Sequence, residues 1–295
     1  MCSVRPRRRV LRACAAGALG AALLPAATLA QAKRRIVSVG GALTEIVYAL
    51  DAQADLVGVD TTSVYPEQAG RLPSVGYARA LSPEGVLALA PTMLVASEEA
   101  GPPAVLRQIS QAGVPVHVLA ANHRFEGMIE RVRRLGELLG REGRARTLAA
   151  SLGAEWDRVR AEVAATRVGG GARPPRVLFV LAHAPNQIMV GGRDTGADAM
   201  IRYAGAVNAI DGFAGYRPLT PESLVAAMPD VVLVTDQGAQ ANGGIDGILA
   251  LPGMPQTPAG RARRVVSQEA MLLLGFGPRL PAAVAALHRA PWRPA

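Results

Sequence analysis

The sequence predicts an α/β protein: two similar α/β lobes with mainly parallel central sheets, joined by one long rigid helix, with a ligand cleft between the lobes. Three observations predict it. Short β-branched runs alternate with helical stretches, as in βαβ units, whose parallel strands need helical crossovers. A segment of 15 residues recurs at a fixed offset of 138. Between the two copies lie about 40 residues, 125–166, of charge-rich, proline-free helical pattern.

Residues 1–32 read as a cleaved export signal. Arg5, Arg7, Arg8, Arg9 and Arg12 precede an apolar run, Ala13 to Leu24, and small residues end at Ala30 and Ala32, where cleavage fits. The run is too short to span a bilayer, which takes about 20 residues. Arg7-Arg8-Arg9 also carries a weak twin-arginine pattern. Both cysteines, Cys2 and Cys14, fall inside this segment. The mature chain therefore has no disulfide, thiolate metal site or cysteine nucleophile. The formal charge of +9 shrinks once these five arginines are removed, leaving 27 basic against 23 acidic residues. With no basic cluster interleaved with aromatics, nucleic-acid binding is not supported. No later segment is apolar and long enough to cross a membrane, so the product reads as a soluble, exported protein.

In the first lobe, expected over residues 33–122, Ile36–Val39 is a buried strand and Gly40-Gly41 the turn into a helix over 42–50. With no GxGxxG pattern, a phosphate loop is not supported at those glycines. Leu56–Val59 is the next strand. Ser82 caps a helix that begins at Pro83 and Glu84 and runs to about Leu89. Met93–Ala96 is a strand, 103–112 a helix and 114–119 a strand. Residues 123–167 form the linking backbone helix, which Gly140 and Gly143 can bend or divide. Residues 168–175, glycine- and proline-rich, are a linker. The second lobe, 176–295, opens on a buried strand over 176–181. A helix over 198–204, a strand over 231–234 and a last helix over 281–288 follow.

The repeat carries functional information. Leu81-Ser82-Pro83-Glu84 and Pro91 match Leu219-Thr220-Pro221-Glu222 and Pro229, and Arg79 matches Arg217, all at the offset of 138. Repetition of cap, proline, acid and terminal proline implies two equivalent units. An acid in the first helical turn is worth some tenths of a kcal/mol against the helix dipole. That accounts for one glutamate but not for identical placement in both lobes. Glu84 and Glu222 together suggest a docking surface for a basic, two-fold partner.

At this point the chain resembles the substrate-binding proteins of ABC importers in which two α/β lobes are bridged by a long helix, the cobalamin, siderophore and haem binders. The pieces nearest to the periplasmic haem carriers among them are Ser38–Glu45, Gly58–Ser63, Gly76-Tyr77-Ala78-Arg79-Ala80-Leu81, Gly192–Thr195 and Gly215–Leu219. The resemblance implies a periplasmic protein, a monomer, that delivers haem to a cognate permease with its ATPase. It implies that Glu84 and Glu222 dock onto the permease and that Tyr77 is the axial iron ligand. Phenolate is a hard, anionic ligand suited to ferric iron. A free phenol ionises near pH 10, so the iron and a nearby guanidinium must help it. Arg79 can supply that help, since residues two apart in extended chain share a face, or it can pair with a haem propionate.

Among the second-lobe residues, Tyr216 and Arg217 either line the opposite wall of the cleft or shape the loop before Thr220. His183 follows the first strand of that lobe, on the side where such sheets bind ligands. Some related carriers use a second-lobe histidine as a further iron ligand; a structural role for His183 stands beside that reading. His117, His123 and His288 read as structural. A siderophore or cobalamin is the alternative ligand. An exported enzyme is the rival of a different class, but no Gly-x-Ser-x-Gly, HExxH or Ser-x-x-Lys pattern occurs.

Overall fold

The computed structural model describes residues 34–169, 173–184 and 187–290, so the expected export signal and part of the linker lie outside the described residues. The described residues belong to one compact unit. In chain order the first lobe runs β1 (Ile36–Val39), α1 (Gly41–Ala49), β2 (Leu56–Val59), α2 (Pro83–Leu87), β3 (Met93–Ser97), α3 (Pro103–Gln111) and β4 (Val116–Leu119). Two helices follow, α4 (Phe125–Leu139) and α5 (Glu142–Gly169). The second lobe begins with β5 (Arg176–Ala184), β6 (Gln187–Gly191), α6 (Gly196–Tyr203), β7 (Val207–Asn208), β8 (Tyr216–Pro218) and α7 (Pro221–Ala227). It continues through β9 (Val231–Thr235), α8 (Asp236–Ala241), α9 (Gly244–Leu249), α10 (Pro258–Arg261), β10 (Val265–Gln268), α11 (Ala270–Leu274) and α12 (Leu280–Arg289).

The first sheet has the order β2-β1-β3-β4 and is parallel throughout. The second, β10-β9-β5-β6-β8, is mixed: β9 pairs in parallel with β5 and β10, whereas β6 runs antiparallel to β5 and to β8. Strand periodicity assigns the faces. Val177 and Phe179 of β5, with Val231 and Leu233 of β9, enter the large core that also holds the α4 and α5 side chains. Their alternates Leu178, Val180, Val232 and Val234 enter a core of the second lobe alone. Likewise Ile36 and Val95 face the large core while Val37, Val39, Leu94 and Ala96 face a separate one. The large core is thus common to both lobes and to the helices between them.

Of the two outcomes expected at Gly140 and Gly143, a bend or a division, the spine is divided into two helices. Gly140 ends α4 in the left-handed conformation, φ 62°, and α5 folds back along α4 so that Phe125 stacks on Trp156 at 4.8 Å. A Cβ at Gly136 would lie 2.4 Å from that of Ala145, so glycine there permits the close approach. Of the two, the 28-residue α5 is the long one.

The repeat survives in three dimensions. α2 and α7 begin at Pro83 and Pro221, and β3 and β9 span residues 93–97 and 231–235, all at the offset of 138. Ser82 Oγ accepts from the amide of Gly85 at 3.2 Å, and Thr220 Oγ1 from that of Ser223 at 3.2 Å. Even the strained turn recurs: Ala90 and Met228 both lie at φ 43° before their prolines.

Candidate functional site

A cavity of about 600 Å³ opens where the strands of both sheets end at their C-termini. Gly40 follows β1; Ser97 ends β3, with Glu98 and Glu99 just beyond it; Ala121 and His123 follow β4; Thr235 ends β9, with Gln237 and Gly238 beyond it. Met271 and Leu274 of α11, with Phe276 beyond it, supply apolar wall. Tyr77 and Arg79 enter from the first lobe and Tyr216 from the second.

Local structure holds each group in place. Gly40, at φ 112°, makes the turn from β1 into α1, and its amide donates to Asp60 Oδ1 at 2.8 Å. Buried Asp60 also accepts from the hydroxyls of Thr62 (2.6 Å) and Ser63 (2.8 Å), which fixes this rim of the cavity. Gly76, at φ 89°, turns the chain so that Tyr77 starts a short 3₁₀ turn over residues 78–80. Tyr77 remains 45% exposed, open to a ligand.

Arg79 Nη2 donates to Glu99 Oε2 at 2.5 Å. That hydrogen bond, with the charges of Glu99, Tyr77 and Tyr216, holds the guanidinium more firmly protonated than usual, against partial burial. Burial, followed by the charge of Glu99, pushes the Tyr216 phenol up; a hydrogen bond with Thr195 and the charge of Arg79 offset part of this. At the floor, buried Arg131 forms an ion pair with Glu98. It also donates to the carbonyls of Leu119 (3.0 Å) and Gly275 (3.2 Å). Burial pushes Glu98 up, but Arg131 and two amide hydrogen bonds outweigh it and bring its carboxyl below the usual range.

The expected site residues divide. Tyr77, Arg79 and Tyr216 come together in the cavity. Arg217 does not line it: consecutive strand residues point to opposite faces, and the Arg217 guanidinium lies 4.6 Å over the ring of Phe213. Of the two places expected for Arg217, cleft wall or the loop before Thr220, this is outside the cavity lining. His183 falls on β5, and its side chain lies outside the described residues. His123, expected to be structural, lies in the cavity wall with its ring 5.5 Å from that of Phe276. His288 is structural: Nδ1 donates to the carbonyl of Ala204 at 2.9 Å and Nε2 sits 3.0 Å from Thr166 Oγ1. His117 is half-buried on β4. Glu84 and Glu222 are exposed in the first turns of α2 and α7, away from the cavity lining. The Ser82 hydroxyl donates to Glu84 Oε2 at 2.7 Å and keeps that carboxyl below its usual range. Sequence reasoning passed over Glu98, Glu99 and Arg131. Glu98 and Glu99 stand at the end of a buried strand; Arg131 is a cation on the apolar face of an amphipathic helix.

The described residues contain no cluster of three His, Cys, Asp or Glu suited to a metal ion held by protein alone. The groups present suit a ligand that brings its own ring system: apolar side chains for its faces, phenols for a metal centre and a guanidinium for anionic edges.

Residues 36–270 match the family model described as periplasmic binding protein. The fold is similar to the periplasmic heme-binding protein BhuT in complex with two hemes (TM-score 0.82). The two are 51% identical, over 87% of this chain and 97% of that one. It is similar also to the periplasmic heme-binding protein RhuT from Roseiflexus sp. RS-1 (TM-score 0.82), 41% identical over 87% of this chain and 97% of the other. A vitamin B12-binding protein of Yersinia pestis is 33% identical over 94 residues, 32% of this chain and 34% of that protein.

Proposed function

The chain belongs to the periplasmic binding protein family, and from that membership we propose that it captures ferric haem in the interlobe cavity, outside the cytoplasm, and passes it to an ABC importer. The observation that carries the reading is Tyr77 standing open in the cavity wall within Coulombic reach of Arg79. The 51% identity to a heme-binding protein over nearly its whole length supports the choice of ligand.

In this reading haem is cargo. Tyr77 is the axial ligand, its phenolate favouring ferric iron. Arg79 is placed to receive a propionate. Tyr216 contributes from the second lobe, and Ala42, Met271, Leu274 and Phe276 give the macrocycle apolar contact. His183 is the proposed second-lobe iron ligand. Residues 1–32 are the proposed export signal, and the partition into lobes 33–122 and 176–295 about a helical link follows the sequence reading. Glu84 and Glu222, exposed at equivalent turns, are proposed to dock a monomeric carrier onto the permease.

Titration with haemin, followed by absorbance, tests the proposal. The wild-type protein should develop a Soret band with a phenolate-to-iron charge-transfer feature. Tyr77→Ala should lose that feature and bind at least about tenfold more weakly, the scale of perturbing a metal's immediate surroundings. An unchanged spectrum in Tyr77→Ala would remove the ligand assignment. The stretch of likeness to a vitamin B12-binding protein favours a corrin as the second reading. Cyanocobalamin binding in the absence of haemin binding would select it.

A further inference from the structure

Glu99 is a charged cavity residue to which the reading above gives no role. It stands just beyond β3 and lines the same wall as Tyr77, Arg79 and Tyr216. Its carboxylate accepts from Arg79 Nη2 at 2.5 Å, with both side chains about half exposed. A pair so exposed contributes little to stability, so packing does not account for it. Its neighbour Glu98 is already committed to Arg131 and to the amide of Ala121 at 3.0 Å. The Glu98–Arg131 pair is neutral in sum, which leaves Arg79 as the cation presented beside the two phenols, and Glu99 cancels it.

That cancellation has a direction. A ferric porphyrin with two ionised carboxylates and a phenolate ligand is an anionic assembly. A lone guanidinium would offer it a full charge and a free fork of donors. With Glu99 on Nη2, one edge of the fork is occupied and a carboxylate faces the incoming anion. We infer that Glu99 sets the rate of ligand release: by occupying Arg79 it loosens the hold on the anionic tetrapyrrole enough for transfer to a partner. The inference rests on the ferric-haem reading of the cavity. Differences in affinity among variants of one site fall mainly on dissociation, so release is the quantity to measure.

The experiment follows haem transfer from the loaded protein to an excess of apoglobin by stopped-flow absorbance. Glu99→Gln should slow release about fivefold, on the order of 1 kcal/mol. Glu99→Asp, which restores the charge, should return the rate towards that of the wild type. In an Arg79→Ala background Glu99→Gln should slow release by much less than fivefold, because most of its effect runs through Arg79. Release unchanged or faster in Glu99→Gln, while the wild type keeps its Tyr77-dependent spectrum, would overturn the role of Glu99 alone. Equal slowing with and without Arg79 would overturn the route through the guanidinium. Failure of the wild type to take up haemin would remove the haem reading, and this inference with it.

Discussion

Replacing Arg131 with methionine keeps the aliphatic stem and removes the charge at the cavity floor. Three acceptors lose their partner: the Glu98 carboxylate, the carbonyl of Leu119 at 3.0 Å and that of Gly275 at 3.2 Å. Breaking a buried ion pair from one side costs about 3–5 kcal/mol. Glu98 is 32% exposed and regains some hydration, which places the expected cost near the lower end, about 3 kcal/mol. For a domain of this size that is roughly a 6–12 °C fall in Tm. Trp156, stacked on Phe125 in the shared core, gives the fluorescence signal for thermal or urea unfolding. The sign of the pH dependence is fixed by Glu98. Its folded pKa lies below the ordinary 4.5, so the pair's stability is present above that value and is lost as pH falls through the folded pKa. The gap between wild type and variant should be full at pH 7 and narrow below about pH 4.5. A Tm change under about 2 °C, or a gap independent of pH, would refute the assignment of Arg131 as an electrostatic tie.

Two further tests concern backbone fit and docking. Gly127→Ala would place a methyl 2.0 Å from the carbonyl oxygen of Ala121, a backbone atom beside the cavity wall. It should destabilise by about 1–3 kcal/mol in urea unfolding and weaken haemin binding through the displaced 121–123 turn; wild-type values for both would show that the turn yields freely. Glu84→Arg with Glu222→Arg should leave haemin titration unchanged and abolish uptake through the cognate permease. Normal uptake by the double variant would end the docking role.

The elements most legible in the sequence were those written twice. The α2 and α7 starts, their caps and the β3 and β9 strands follow from cap, proline and β-branched run, because local chemistry alone fixes them. Tyr77 and Arg79 were found through the resemblance carried by Gly76-Tyr77-Ala78-Arg79-Ala80-Leu81; the extended i, i+2 arrangement expected of them is instead a short 3₁₀ turn over residues 78–80. The division of the spine at Gly140 depended on whether a left-handed end is stabilised by α5 packing back on α4, a contact 31 residues apart between Phe125 and Trp156. β8, which carries Tyr216, and its partner β6 are three and five residues long and exist through pairing with each other and, for β6, with β5. Their sequence has no independent strand signal, so the sequence left Arg217 undecided between the cleft wall and the loop before Thr220. Glu98, Glu99 and His123 gained meaning only when the ends of β3 and β4 met the other lobe.

The two phenols are mounted differently, and this shapes how the cavity meets a flat ligand. Tyr216 belongs to an antiparallel ladder, paired across from Gly191, with its ring against Phe179 at 6.5 Å. Tyr77 sits at the head of one short 3₁₀ turn after a left-handed glycine. Tyr77 is nevertheless tied on both sides: the carbonyl of Gly76 accepts from the amide of Thr61 at 3.0 Å, and that of Ala78 from the amide of Gly101 at 2.9 Å. One phenol thus reaches the cavity from a ladder and the other from a pinned turn, so a flat ring between them meets two backbones of different build.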